Sequence, residues 1–290
     1  MTLARAVSWV ETHLSRFSID RDASLEWRLA SAKAIGELAH TADMLARRED
    51  PLREVGERWL SHAWSALEGV AWILPLLEST PRLALAASLL PVFHQRGWIE
   101  PATITRLHAA MLRAPLDGAE LLYAVVSFRR LGVSLPPDVE NRAARSTVLI
   151  QRPPPWRLNL LALYQLTHEL FYASEWGARA PDLDERALHY ARRWIPMWIE
   201  LAAQSSDTDL VAELLCCHEL LGGADPVESA WAVIARAQAE DGSVTPPPRV
   251  VDVRAAAMPD DAFLLRRHTT LVAAMAWSLR DQSIPKMSTP

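Results

Sequence analysis

The chain of 290 residues has few cysteines, few lysines and few glycines, and it has no long apolar run. Each scarcity excludes something. The only cysteines, Cys216 and Cys217, are neighbours. A bridge between adjacent residues is strained and disrupts a helix, so both are expected as free thiols. Lys33 and Lys286 are the only lysines, and 35 acidic residues outnumber 30 basic ones. A net charge of −5 and a pI near 6.0 argue against nucleic acid as the main partner. The arginines come partly as scattered pairs, Arg47–Arg48, Arg129–Arg130, Arg192–Arg193 and Arg266–Arg267. Such pairs read as solvated helix faces. The longest apolar stretch, residues 69–77, contains Pro75. It is far shorter than the ~20 residues of a spanning helix, so no membrane insertion is expected. Residues 1–14 contain Arg5, Glu11 and His13, which interrupt any secretory core; a cytoplasmic protein is the simplest reading. The P-loop, the G-x-G-x-x-G loop, the G-x-S-x-G elbow and H-E-x-x-H are absent.

What is present is helical punctuation. G-x-x-x-P occurs at Gly97–Pro101, Gly132–Pro136, Gly177–Pro181 and Gly222–Pro226, and the last three start at equal intervals of 45 residues. A fixed period of this size means stacked helix pairs. Glycine suits the left-handed residue that ends one helix, and proline the first turn of the next. Alanine, leucine, arginine and glutamate dominate, with no sustained alternation of period two. Helices are predicted over 2–17, 22–48, 51–62, 64–78, 82–95, 102–112, 117–131, 138–150, 157–175, 183–202, 207–221, 227–239 and 262–280. Residues 159–172, 210–221 and 268–279 are apolar on nearly all sides and read as inner helices. Residues 184–202 and 226–239 are amphipathic and read as outer ones. The fold class is all-α, with about six hairpins in an open array or a closed ring. One helical domain is expected over 1–281, with a tail at 282–290. A proline-rich stretch, 244–261, breaks the pattern and reads as a long loop, functional or connecting.

Aligning the repeats on their glycines places His168 and Glu213 at one level, each nine residues before its glycine, with Tyr123 in the same position before Gly132. His268 falls near that level once the proline loop is allowed for. Two histidines and a carboxylate suit zinc or iron, with positions open for substrate. Asp209 and Cys217 lie one turn either side of Glu213 and share its stripe. Such a stripe inside an apolar helix is costly unless paired, protonated or bound to a cation. The bland reading stands beside this: a histidine on a buried helix is often a satisfied core residue, and Glu213 has arginines to pair with. Glu175 lies two turns beyond His168. His218 and Glu219, at a helix end, are expected in solvent. Trp176, Trp194, Trp198, Trp231 and Trp277 either line a pocket or fill the core.

Gln238, Asp241, Gly242 and Ser243 form Q-x-x-D-G-S. This resembles the repeat motif of terpene cyclases and protein prenyltransferase β subunits. Further on, Arg267-His268-Thr269-Thr270-Leu271 resembles the β-subunit segment in which a histidine opening an inner helix binds zinc. The resemblance spans about 45 residues. It implies a closed α/α toroid and a metal at His268. The Asp-x-Cys of those prenyltransferases is replaced here by Asp207-Thr208-Asp209, and the D-x-D-D of the cyclases lacks its final acid. The run Leu166-Thr167-His168-Glu169-Leu170-Phe171-Tyr172 resembles a motif of an actinobacterial family of similar size, which implies no activity.

The leading expectation is a metal-dependent enzyme acting on a small molecule or peptide in a central pocket. His168, Glu213, Cys217 and His268 would bind a divalent metal, zinc or iron, and Asp209 and Glu213 would serve as catalytic acid and base. A role in bacterial secondary metabolism rests on analogy alone. Two other readings stay open: a non-catalytic helical-repeat binder of a peptide or protein, and a metal-free terpene- or prenyl-handling protein.

Overall fold

Inner-helix starts are set by short polar side chains. Ser24, Asn159, Asp207 and Asp261 each accept a hydrogen bond from a backbone N–H of the turn that follows. Each such cap contributes about 1 kcal/mol. The computed structural model describes residues 2–79, 90–116, 118–223, 226–247, 258 and 261–282. The described residues are all-α, with no strand; a single bridge joins Gln238 to Val244. The helices are α1 (Leu3–Thr12), α2 (Leu25–Ala46), α3 (Leu52–Ala66), α4 (Leu74–Ser79), α5 (Pro91–His94), α6 (Pro101–Met111) and α7 (Gly118–Arg130). There follow α8 (Pro137–Arg145), α9 (Val148–Gln151), α10 (Leu160–Ala173), α11 (Glu185–Gln204), α12 (Thr208–Leu220), α13 (Glu228–Ala237) and α14 (Ala262–Asp281). No helix among the described residues is long and apolar enough to cross a membrane.

The repeat glycines do what their spacing predicts. Gly97, Gly132, Gly177 and Gly222 all take positive φ, between 71° and 98°, just past the ends of α5, α7, α10 and α12. The prolines are less uniform. Pro101 opens α6, whereas Pro136 is the residue before α8 and Pro181 and Pro226 lie upstream of their helices. Two predicted helices are each split. Residues 64–78 break at Glu68, Gly69 and Val70, three consecutive left-handed residues. Residues 138–150 divide at Ser146–Thr147, where the Thr147 hydroxyl caps α9. The first part of the predicted helix 82–95, most of the proline-rich stretch and residues 283–290 of the tail lie outside the described residues.

Inner helices are α2, α7, α10, α12 and α14. Successive contacts run from α2 to α14, α14 to α12, α12 to α10 and α10 to α7, and the short α5 touches both α7 and α2. Outside them, α3 packs on α2, α8 on α7, α11 and α13 on α12, and α1 on α14. Every residue of α12 from Thr208 to His218 is buried, as expected of a helix surrounded by protein. That burial includes His218, whose Nδ1 lies 3.3 Å from Glu219 Oε1, so the expectation of a solvent-exposed His218 is corrected. The arginine pairs are also not simply solvated. Arg267 is buried and Arg48 and Arg130 are half-buried; Arg48 meets Asp50 and Arg130 meets Glu175. Trp198, Trp231 and Trp277 fill the core.

The Q-x-x-D-G-S segment fastens the start of the chain. Gln238 accepts from the Thr2 N–H at 3.0 Å and donates to the Thr2 carbonyl at 3.2 Å. The Arg5 guanidinium donates to the carbonyls of Ala239 and Glu240. The Asp241 carboxylate accepts from both the N–H and the hydroxyl of Ser243, which closes the turn. Gly242, at φ +96°, sits so close to the Arg5 carbonyl that a Cβ there would lie 2.1 Å from its oxygen.

Candidate functional site

Helical spacing brings the chemistry together. Asp209 and Glu213 lie one turn apart on α12, with side chains 2% exposed. His268, on the second turn of α14, turns Nε2 towards both, 3.5 Å from Asp209 Oδ1 and 3.7 Å from Glu213 Oε1. One donor atom from each of the three lies within 4.8 Å of the others. The opposite nitrogen of His268 lies 3.2 Å from Glu37 Oε2 on α2. That contact is an ion pair lying off the hydrogen-bond line.

The carboxylates are held from behind. Asp209 accepts from the Tyr164 hydroxyl at 2.7 Å and the Thr269 hydroxyl at 2.8 Å. Glu213 accepts from the Thr167 hydroxyl. Burial alone would raise the Glu213 carboxyl, but His168 and His268 outweigh it and hold it below the ordinary range. The same contest lowers Glu37, where His268, Lys33 and Arg267 prevail over burial. Burial would lower His268, yet Glu37, Asp209 and Glu213 raise it well above the usual imidazole value. Three carboxylates thus surround one imidazole, and on the Glu37 side Lys33, 76% exposed and 3.6 Å from Glu37, and Arg267 add positive charge. Asp209 and Glu213 are two buried carboxylates side by side that face this imidazole, a place where a divalent cation would be well matched. The donors are oxygen and imidazole without thiolate, a set suited to zinc, iron, manganese or magnesium.

Of the candidate site residues, the structure groups Asp209, Glu213 and His268. His168 borders the group without joining it. Its Nδ1 lies 2.7 Å from the Tyr164 carbonyl, which can only accept, so that nitrogen carries the proton and Nε2 is the basic one. The same Nδ1 is 3.6 Å from Glu213, and the ring is 37% exposed. Cys217 is not among the grouped donors: its thiol donates towards the Thr167 carbonyl at 3.7 Å, and burial pushes it well above the usual thiol range. Tyr123, aligned with His168 by repeat, stacks instead on Tyr172 with centroids 4.3 Å apart. Glu175 pairs with Arg130 and Arg179. Glu37 was not foreseen; a lone acid within Ala34-Ile35-Gly36-Glu37-Leu38-Ala39 was the signal available.

One turn past Glu37, His40 is buried with both ring nitrogens lacking a hydrogen-bond partner. It stacks on Trp176 at 4.0 Å, and Arg47 donates to the Trp176 carbonyl at 2.7 Å. Burial, with Arg130 and Arg47, pushes the His40 imidazole down to about 3. A cavity of about 220 Å³ lies apart from the carboxylate group, walled by α7, α8, α9 and α10. Glu169 lines it and accepts from the N–H groups of Val148 and Leu149 and from Gln165. Burial outweighs these bonds and raises its carboxyl to about 7.

Over residues 3–278 the chain matches the family described as Domain of unknown function (DUF6895), and it belongs to that family. No curated protein and no solved structure matches it.

Proposed function

We propose that this DUF6895 member is a metal-dependent enzyme centred on Asp209, Glu213 and His268, acting on a small molecule or peptide. The observation that carries the reading is the attitude of one imidazole. His268 sets one nitrogen against Glu37 and presents the other to two buried carboxylates. An outer carboxylate behind a histidine is the usual means of fixing its orientation and raising its basicity as a ligand. Asp209, Glu213 and His268 would hold the ion, zinc or iron, and Tyr164, Thr167 and Thr269 would orient the carboxylates. Bound there, the ion would supply Lewis acidity. His168, with Nδ1 committed and Nε2 basic, is placed to exchange a proton with a bound substrate. The partial exposure of His168, His268 and Glu37 supports access to the site from solvent. The succession of inner-helix contacts supports closure of the array into a toroid, and a cytoplasmic setting agrees with two free thiols.

The test is elemental analysis of protein purified without a nickel column. Near one equivalent of metal per chain is expected. It should be lost in His268→Ala and Asp209→Asn and kept in Cys217→Ala and His168→Ala. No metal after reconstitution would overturn the reading. One observation favours a second reading, a ligand-binding protein without catalysis: the cavity beside Glu169 stands apart from the carboxylate group. A ligand bound there in a metal-free protein would support it.

A further inference from the structure

The outer surface of α11 carries a feature that the central site does not use. Arg186, His189, Tyr190 and Arg193 recur at helical spacing along one face. They line an open cleft of about 510 Å³ with Trp194, Glu185 and, from the end of α9, Arg152. The Tyr190 hydroxyl donates to the Pro153 carbonyl at 2.6 Å, which bolts the segment after α9 onto α11. Arg152 caps α9 at φ 47°, a left-handed position where glycine is the ordinary occupant. Keeping an arginine there carries a backbone cost that glycine avoids.

Three arginines therefore line one cleft. Among the described residues none of the three has a carboxylate partner. Glu185 also lines the cleft, but its carboxylate is 85% exposed and pairs with Arg192 at 3.6 Å. This chain has more acidic than basic residues, so acid was abundant for neutralising the cleft. Arg193 is already oriented, with its guanidinium 5.2 Å above the Trp194 ring. A monoanionic carboxylate occupies a single guanidinium fork. Three forks with a histidine and aromatic walls suit a group with more charge and more acceptor oxygens.

We propose that Arg152, Arg186 and Arg193 form a binding site for a phosphate-bearing ligand, with His189 and the Trp194 ring beside it. The phosphate has two available sources, a soluble phosphate ester or a lipid headgroup. The second is suggested by Trp156 and Leu161, which stand 80% and 77% exposed shortly after Pro153.

The experiment is calorimetric titration of the full chain with pyrophosphate, alongside sedimentation with vesicles containing phosphatidic acid. Arg186→Ala and Arg193→Ala are the test variants, and His268→Ala separates this cleft from the central site. Soluble binding that falls about tenfold in each arginine variant, weakens with salt and survives His268→Ala supports the site and a soluble ligand. Binding to vesicles alone, reduced by the arginine variants and by Trp156→Ala, supports the site and a lipid source. Three results overturn the proposal: neither probe binds, binding is unchanged in both arginine variants, or it is lost in His268→Ala. Arg152→Gly relieves the left-handed backbone while removing the guanidinium. It should therefore weaken binding while keeping the melting temperature, and full binding by that variant would remove Arg152 from the site.

Discussion

His268 and Glu37 come from helices near opposite ends of the chain, yet Nδ1 of one lies 3.2 Å from Oε2 of the other. Glu37 touches neither Asp209 nor Glu213 through any ion pair or hydrogen bond described above, so its influence on the group passes through the imidazole. In Glu37→Gln the charge behind His268 is lost while the shape is kept. Metal affinity should drop about 10- to 100-fold with little change in melting temperature. Competition against a chromophoric chelator measures it, and unchanged affinity would leave Glu37 without a tuning role.

His40 gives stability a pH dependence of known sign. Its folded value is depressed to about 3, against about 6.5 unfolded. Between these values the unfolded chain binds the extra proton, so stability is full above pH 6.5 and is lost as pH falls towards 3. His40→Phe preserves a ring against Trp176 and removes the titration. Urea melts at pH 7 and pH 5 should differ less for the variant than for the parent.

Glu169 acts in the opposite direction. Its folded value is raised to about 7 from a reference of 4.5. Its contribution is therefore full below pH 4.5 and declines as pH rises through 7, by at most about 1.4 kcal/mol per pH unit. Glu169→Gln should flatten that decline. It also loses one accepted backbone bond, so its stability should be lower at every pH. An unaltered pH slope would show that Glu169 titrates normally.

Two glycines separate strain from collision. Gly132 has φ +75° and open space around it, so Gly132→Ala should cost only about 1 kcal/mol. At Gly242 the same substitution drives a methyl group into the Arg5 carbonyl. The loss should be roughly 2 kcal/mol or more, with a correspondingly lower melting temperature. Equal losses would mean that α1 shifts freely to make room.

The sequence was most readable where chemistry repeats. The glycine period predicted the left-handed ends of α5, α7, α10 and α12, and it placed Glu213 between His168 and His268, as found. Asp209 was legible from its spacing to Glu213. Glu37 was not, because α2 lies outside the aligned repeats and only its solitary charge marked it. Cys217 shares the stripe of Glu213 by spacing, but a stripe one turn long does not fix where a sulfur points. The break at Glu68–Val70 was hidden because two of its three left-handed residues are not glycine. The half-buried arginines were misread because Arg48 donates to Ser278 and Arg130 meets Glu175, partners remote in sequence.

The clasp between Thr2 and Gln238 joins residues 236 positions apart. On a ribosome, α1 emerges with Leu3, Val7, Trp9 and Val10 ready for burial, but α14, against which it packs, follows well over 200 residues later. At roughly 5–20 residues per second the wait is tens of seconds. During that time the apolar face of α1 has no native cover and is open to chaperones. Completion of the fold thus waits for α14, and truncation before α14 should leave a nascent chain that holdases retain.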